Sequence, residues 1–326
     1  MIDKTMKALT FSEFGSPDVL EYQEVDTPTL EDGEVLVEMK AIGLNYADIY
    51  RRKGDYHLEG EAPYINGYEG AGIIVKSRSS KYEAGDRVGF ADVPFANAQY
   101  VAVPEIKVIP FGEEIDFPLA ASVLLQGLTA QYLSTDSYEV KPDDTVLIHA
   151  ASGGVGQILT QICKLKGAEV IGMTRSESKI ETILARNADH AVILDDNWKP
   201  KIMDLTDGEG VDTVYDSVGI TLMDSFEVTK KRGHVVFFGM AGGDPEAVDP
   251  RMLMEQSKTL TGADLWNHLS TEEERMERVA ELFTWILDGD IQIKDPVKFK
   301  LSEGKKAHQF IETGKSSGKV LLIPEW

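Results

Sequence analysis

The sequence predicts an α/β chain: a β-rich first third, followed by a doubly wound, mostly parallel sheet. Two observations carry this. Between Thr145 and Met173 the chain runs strand, glycine-rich turn, helix, strand, which is a βαβ unit of about thirty residues. Beyond it, short apolar runs recur at 191–194, 211–216 and 234–239 with helical stretches between several of them, the alternation that builds a parallel sheet.

In chain order, 6–11 is the first expected strand and Gly15-Ser16-Pro17 a turn. Further short strands are expected at 35–41, 70–75 and 87–90, punctuated by Gly and Asp. From 118 to 133 the pattern turns helical, with Leu119, Ala120, Val123, Leu124, Leu128 and Tyr132 near one face. The βαβ unit follows. Its first strand is 145–150, and its helix carries Ile158, Leu159, Ile162, Cys163 and Leu165 and is closed by Gly167. Its second strand is 168–173. A further strand is expected at 259–263. Ser270-Thr271-Glu272-Glu273 reads as a capping box for a helix whose apolar residues are Met276, Val279, Ala280, Phe283, Ile286 and Leu287. A helix near 302–313 and the apolar run 320–323 close the chain.

With 326 residues, the length suggests two domains. A formal charge of −22 argues against a nucleic-acid partner, because tracking a phosphate backbone needs clustered Lys and Arg. No secretory segment follows Met1 and no apolar run approaches about 18 residues, so neither export nor a membrane span is expected. The single cysteine, Cys163, lies among helical apolar residues and reads as core rather than nucleophile. Together these features suit a reduced, cytoplasmic protein.

The turn of the βαβ unit reads Ala151-Ser152-Gly153-Gly154-Val155-Gly156. Glycines here let the backbone approach a pyrophosphate, and the helix N-terminus behind them offers N–H groups and a partial positive charge. Ala151 takes the first place of G-x-G-x-x-G, and Gly153 and Gly156 take the second and third. Set between two strands and a helix, the motif points to a bound dinucleotide. After the second strand an NAD site normally carries a carboxylate for the ribose 2′-hydroxyl. This corner instead reads Met173-Thr174-Arg175-Ser176-Glu177-Ser178-Lys179, so Arg175, Ser176 and Lys179 could surround a 2′-phosphate, and NADP(H) is the expected cofactor. Ser178 and Glu181 also fit a capping box. Ser217 and Gly219 end one strand, and Phe238, Gly239 and Met240 the next. Ligands of doubly wound sheets lie outside such strand ends, so these residues are cofactor contacts by position.

The stretch 144–156, with 43–52, Gly67-Tyr68-Glu69-Gly70-Ala71-Gly72 and Gln126-Gly127-Leu128-Thr129-Ala130, resembles the medium-chain dehydrogenase/reductase superfamily, in its zinc-free quinone oxidoreductase (zeta-crystallin-like) branch. The resemblance implies a β-rich, GroES-like catalytic domain over 1–123 and 267–326, interrupted by a Rossmann domain over 124–266. It also implies a homodimer, with Rossmann sheets joined at an edge near 234–239 or 260–265.

Zinc alcohol dehydrogenases place Cys where this chain has Asn45, His where it has Tyr68, and a second Cys near Gln126. Asn, Tyr and Gln are poor zinc ligands, and one Cys cannot build a structural zinc loop, so no metal is expected. Without a Lewis acid, hydride addition to a quinone or enone that delocalises charge remains feasible. The resemblance therefore implies an NADPH-dependent quinone reductase. An alkenal, enone or enoyl-thioester reductase is the alternative, and a non-catalytic NADPH-binding protein is the reading of another class.

By resemblance, Asn45 lies beside the nicotinamide and orients the ring or a substrate carbonyl; the plainer reading is a turn residue before a helix. Tyr50 matches a tyrosine of the active cleft and Tyr56 falls near a second, so either phenol donates to a substrate oxygen or simply packs. Thr129 resembles a cofactor-contacting threonine, or else bonds its own helix. Asp48 reads as a loop-fixing carboxylate. Lys319 resembles the phosphate-contacting residue of the closing segment, or is a surface lysine. Leu194 stands where the family carries a further cofactor tyrosine.

Overall fold

The structure is a computed structural model that describes residues 2–326. Two compact units are found: Met1–Leu125 with Leu269–Glu281 and Ile293–Trp326, and Gln126–His268 with Leu282–Gln292.

The first unit opens with strands β1 (Thr5–Phe11), β2 (Glu21–Asp26) and β3 (Glu34–Leu44), helix α1 (Tyr46–Lys53), and strands β4 (Tyr64–Ile65), β5 (Gly70–Ser77), β6 (Arg87–Phe90), β7 (Tyr100–Pro104) and β8 (Ile109–Pro110). Helix α2 (Phe117–Tyr132) leads into the second unit. That unit holds β9 (Thr145–Ile148), α3 (Gly154–Leu165), β10 (Glu169–Thr174), α4 (Ile180–Leu184), β11 (His190–Ile193), α5 (Trp198–Leu205), β12 (Val211–Asp216), α6 (Leu222–Glu227), β13 (Thr229–Phe237), α7 (Pro250–Gln256) and β14 (Thr259–Gly262). Then come α8 (Glu272–Leu287), β15 (Val297–Lys300), α9 (Gly304–Glu312) and β16 (Val320–Ile323).

In the first unit β2-β1-β4 form one sheet and β15-β16-β3-β5-β6-β8 another, with β7 also paired to β3. Strand β3 meets three partners because it is long and its register with β5 shifts twice, between Leu36 and Val37 and between Met39 and Ala41. Its apolar residues Val35, Val37, Met39 and Ile42 are buried in one core with Leu9, Phe90, Val101, Leu301, Val320 and Leu322. Burying such side chains is worth about 1.5–3 kcal/mol each.

The second unit is one parallel sheet in the order β11-β10-β9-β12-β13-β14. Counted within the unit this is 3-2-1-4-5-6, the doubly wound order, and its switch point falls between β9 and β12. Its core gathers Leu147, Ile171, Val214 and Val235 with Trp198, Ile202 and Phe226 from the covering helices. Cys163 is fully buried and burial pushes its thiol up to about 12, as a core cysteine requires.

Three expectations are corrected. The strand 234–239 is not an edge, because β13 lies between β12 and β14; of the two segments named, only the one near 260–265 contains an edge strand. The cap of α8 shifts by one residue: the Thr271 hydroxyl accepts the Glu274 N–H at 3.1 Å, and the Ser270 hydroxyl donates to the Glu274 carboxylate at 3.1 Å. At 177–179 a short 3₁₀ turn precedes α4, whose N-cap is Lys179, so Ser178 sits too early to cap it and its hydroxyl lies 2.8 Å from that of Ser176. Among the described residues no helix is long and apolar enough to cross a membrane.

Candidate active site

Asn45 directly follows β3 and is the N-cap of α1. Its own N–H donates to Asp48 Oδ2 at 2.9 Å, which satisfies one of the donors a helix start leaves open. The Asn45 side chain turns inward. Nδ2 donates to Glu69 Oε2 at 2.9 Å and, more weakly, to the Gly43 carbonyl at 3.4 Å, while Oδ1 accepts from Lys319 Nζ at 2.8 Å. Lys319 also pairs with Glu69, whose other oxygen accepts the Leu125 N–H at 2.7 Å. Burial pulls the Lys319 ammonium below the ordinary lysine value, with Glu69 opposing.

A second ion pair lies beside the first. Arg51 donates to Asp48 Oδ1 at 3.1 Å, and both side chains are buried. Burial pushes the Asp48 carboxyl above the usual carboxylate value, against the opposing pull of Arg51 and the Asn45 N–H. The Arg51 guanidinium lies 3.6 Å from the Tyr68 ring centre and 5.0 Å from that of Tyr56, and Nε donates to the His57 carbonyl at 3.0 Å. Arg51 thereby ties the segment carrying Tyr56 to α1. Tyr50 is half-buried on that helix, its ring 6.3 Å from that of Tyr46. Asn45, Tyr50, Tyr56 and Lys319 thus fall in one unit. The Lys319 ammonium faces Asn45 and Glu69 in the interior, so the plainer reading of a surface lysine does not hold.

The other candidates fall in the second unit, Thr129 on α2 and the rest just beyond the C-terminal ends of β9, β10, β12 and β13. Strand β9 ends at Ile148, Ala150 turns the chain with φ +51, and Ala151-Ser152 leads to Gly153, the N-cap of α3. As a glycine, this N-cap residue brings no capping side chain of its own. At Gly156 a Cβ would lie 2.5 Å from the Ala150 carbonyl oxygen, so only glycine lets α3 approach its strand this closely. A Cβ at Gly154 would strike the Gln126 amide at 1.9 Å. Ser152 is buried and Val155 half-buried in the same turn, and Thr129 is buried on α2.

Beyond the switch point, the Asp216 carboxylate closes the end of β12. It accepts the Val218 and Gly219 N–H groups at 2.8 and 3.1 Å and the Thr221 and Ser225 hydroxyls at 2.8 Å each. Burial works to raise this carboxyl, but His149 and these donors outweigh it and hold it below the ordinary value. Gly219 has φ +87, and a Cβ there would meet the Gly243 carbonyl oxygen at 2.1 Å. The Ala241 N–H donates to Ser217 and the Gly242 N–H to Val218, at 3.0 and 2.8 Å, which brings the segment with Phe238, Gly239 and Met240 beside Ser217 and Gly219.

After β10, Arg175 is exposed, and Ser176 and Lys179 are partly so; Glu177 is exposed and Leu194 packs on the core. The glycine turn at the start of α3 and this basic corner fit a 2′-phosphorylated dinucleotide.

Sequence reasoning assigned no role to Glu69 or Asp216. Glu69 stands just before the apolar strand β5 and Asp216 is the last residue of β12, and a carboxylate buried at either place needs donors or a counter-charge.

A doubly wound sheet with its glycine turn at the switch point, in one chain with a β-rich unit bearing a buried polar cluster, defines a dinucleotide-binding oxidoreductase. The family model described as an alcohol dehydrogenase GroES-like domain matches residues 31–142, and that described as zinc-binding dehydrogenase matches 154–285. A quinone oxidoreductase of Pseudomonas aeruginosa is 36% identical over 98% of this chain and 99% of its own length. The crystal structure of Escherichia coli quinone oxidoreductase complexed with NADPH superposes with a TM-score of 0.92 at 34% identity, covering 98% of this chain and all of that one. A 2-haloacrylate reductase from a Burkholderia species is 32% identical over 95% of this chain and 97% of its own length. The chain belongs to the medium-chain dehydrogenase/reductase family, in its quinone oxidoreductase branch. One family description mentions zinc, yet among the described residues no group of three or more His, Cys, Asp or Glu side chains is arranged to hold a metal ion.

Proposed function

We propose that the protein is an NADPH-dependent quinone oxidoreductase that works without zinc. The observation that carries this reading is the corner after β10, which ends without a carboxylate and continues into Arg175, Ser176 and Lys179, beside a glycine turn built for a pyrophosphate. NADPH, when bound, supplies a hydride to the acceptor. The backbone of Ser152, Gly153, Gly154, Val155 and Gly156 would hold the pyrophosphate at the α3 N-terminus, and Arg175, Ser176 and Lys179 the 2′-phosphate. Thr129, Ser217, Gly219, Phe238, Gly239 and Met240 would contact the rest of the dinucleotide. Tyr50, with Tyr56 as the second phenol, would donate to the acceptor oxygen as negative charge develops there. The Asn45 amide nitrogen is engaged by Glu69 and Gly43, so Asn45 would act by orienting the nicotinamide or the acceptor rather than as a free donor. A quinone spreads the charge over its ring, so solvent can deliver the proton and no metal is needed. Asn45, Tyr68 and Gln126 at the zinc-ligand positions support this.

The catalytic domain would take 1–123 and most of 267–326, and the nucleotide domain 124–266 together with 282–292, which packs in the second unit. The working form is a cytoplasmic homodimer joined through the edge strand β14. A second reading, reduction of a conjugated C=C, draws support from the 2-haloacrylate reductase relative.

NADPH oxidation by the metal-analysed protein, assayed in chelator with a quinone, an enal and an enoyl thioester, tests the proposal. Fastest turnover of the quinone is expected. Preference for the enal or thioester selects the second reading, turnover of none selects a binding protein, and activity lost together with one zinc per chain overturns the metal-free mechanism.

A further inference from the structure

The Lys319–Glu69 pair lies where a stability argument alone does not explain it. Both side chains are buried, and a buried ion pair is often no more stabilising than apolar residues of the same volume. What the pair does is fix a third group. An ammonium can only donate hydrogen bonds and a carboxylate can only accept them. The Asn45 atom 2.8 Å from Lys319 Nζ is therefore the oxygen, and the one 2.9 Å from Glu69 Oε2 the nitrogen. Turning the amide over would set donor against donor and acceptor against acceptor. The Leu125 N–H pins the other Glu69 oxygen, and Gly43 leaves room for the carboxylate, since a Cβ there would lie 2.1 Å from Oε2.

We propose that Lys319 and Glu69 are positioning residues that lock the Asn45 amide in one orientation, and that Lys319 does not serve as a phosphate ligand. This deepens the proposed function and rests on its placing of Asn45 at the reacting site.

The test is a mutant cycle on the full-length protein: Asn45→Ala, the double variant Glu69→Gln/Lys319→Met, which leaves no lone buried charge, and the three changes together. Readouts are kcat with a quinone at saturating NADPH, the NADPH Kd by fluorescence titration, and the unfolding midpoint. The double variant is expected to lose about tenfold in kcat, with Kd within about twofold of wild type and no further loss when added to Asn45→Ala. Lys319→Arg, which still donates to both oxygens, should recover most of the lost rate. If the double variant does not fold, Glu69→Gln takes its place in the cycle and Lys319→Arg remains the conservative control. A Kd raised about tenfold with kcat intact would make Lys319 a phosphate contact and overturn the proposal. So would an equal loss of kcat in the Asn45→Ala background. If Asn45→Ala itself leaves kcat unchanged, the placing of Asn45 at the reacting site fails, and the proposal with it.

Discussion

Asn45 and Lys319 stand 274 residues apart in sequence, yet Oδ1 of one lies 2.8 Å from Nζ of the other. The contact joins the start of α1 to the residue just before β16, so the loop bearing Asn45 is held by strands from both ends of the chain.

That junction leaves no space at Gly43. An alanine Cβ would lie 2.1 Å from the Glu69 carboxylate and 2.7 Å from the Ala121 carbonyl oxygen, and the second cannot swing aside. Gly43→Ala is expected to cost about 3 kcal/mol, read from urea unfolding, and to lower kcat by displacing Glu69. An unchanged midpoint and rate would show that the cluster is looser than its distances say.

At the basic corner, Arg175→Ala and Lys179→Ala should each raise the KM for NADPH roughly ten- to a hundredfold, the worth of one charged hydrogen bond, and barely alter that for NADH. A wild-type preference for NADH would refute the 2′-phosphate assignment.

Tyr50→Phe removes one donor without changing ring volume. Because a quinone delocalises its charge, a loss of only about tenfold in kcat is expected, with NADPH affinity preserved. The rate should be measured where deuterated NADPH shows hydride transfer to be limiting. No effect there would remove Tyr50 from the chemistry.

His308 predicts a pH dependence of stability. Arg52 Nη1 lies 3.1 Å from its Nδ1; because arginine only donates, Nδ1 must accept and the ring must be neutral. Its Nε2 is buried without a partner. Burial, helped by Arg52, pulls the folded value down to about 3, against about 6.5 in the unfolded chain. Between those values the unfolded chain binds a proton that the folded chain does not, so this site destabilises the fold as pH falls through that window. The slope reaches at most about 1.4 kcal/mol per pH unit. The stability gap between wild type and His308→Gln should narrow on acidification from neutral pH towards 4. A gap independent of pH would contradict a neutral His308.

The sequence made the nucleotide unit legible because its signals are local: β9, the glycine turn, α3 and β10 are contiguous. The break at Ala150, with φ +51, left no mark, because alanine seldom adopts it. Strands β2 and β15 were missed for another reason. They lie at sheet edges with mostly exposed or half-exposed side chains, so neither shows the apolar alternation of a buried strand. Asn45 and Tyr50 were singled out by family pattern, but the contacts that hold Asn45 were not legible, since the Glu69–Lys319 contact spans 250 residues and carries no periodicity.

The pairing of β16 with β3 bears on how the protein is made. Synthesis delivers residues 34–44 long before 320–323, so the nascent first unit waits with β3 unpaired on one flank and Glu69 without its counter-charge. The nucleotide unit, whose last segment is 282–292, emerges complete beforehand. Ribosomal order therefore makes the contacts of Lys319 with Asn45 and Glu69 among the last to become possible.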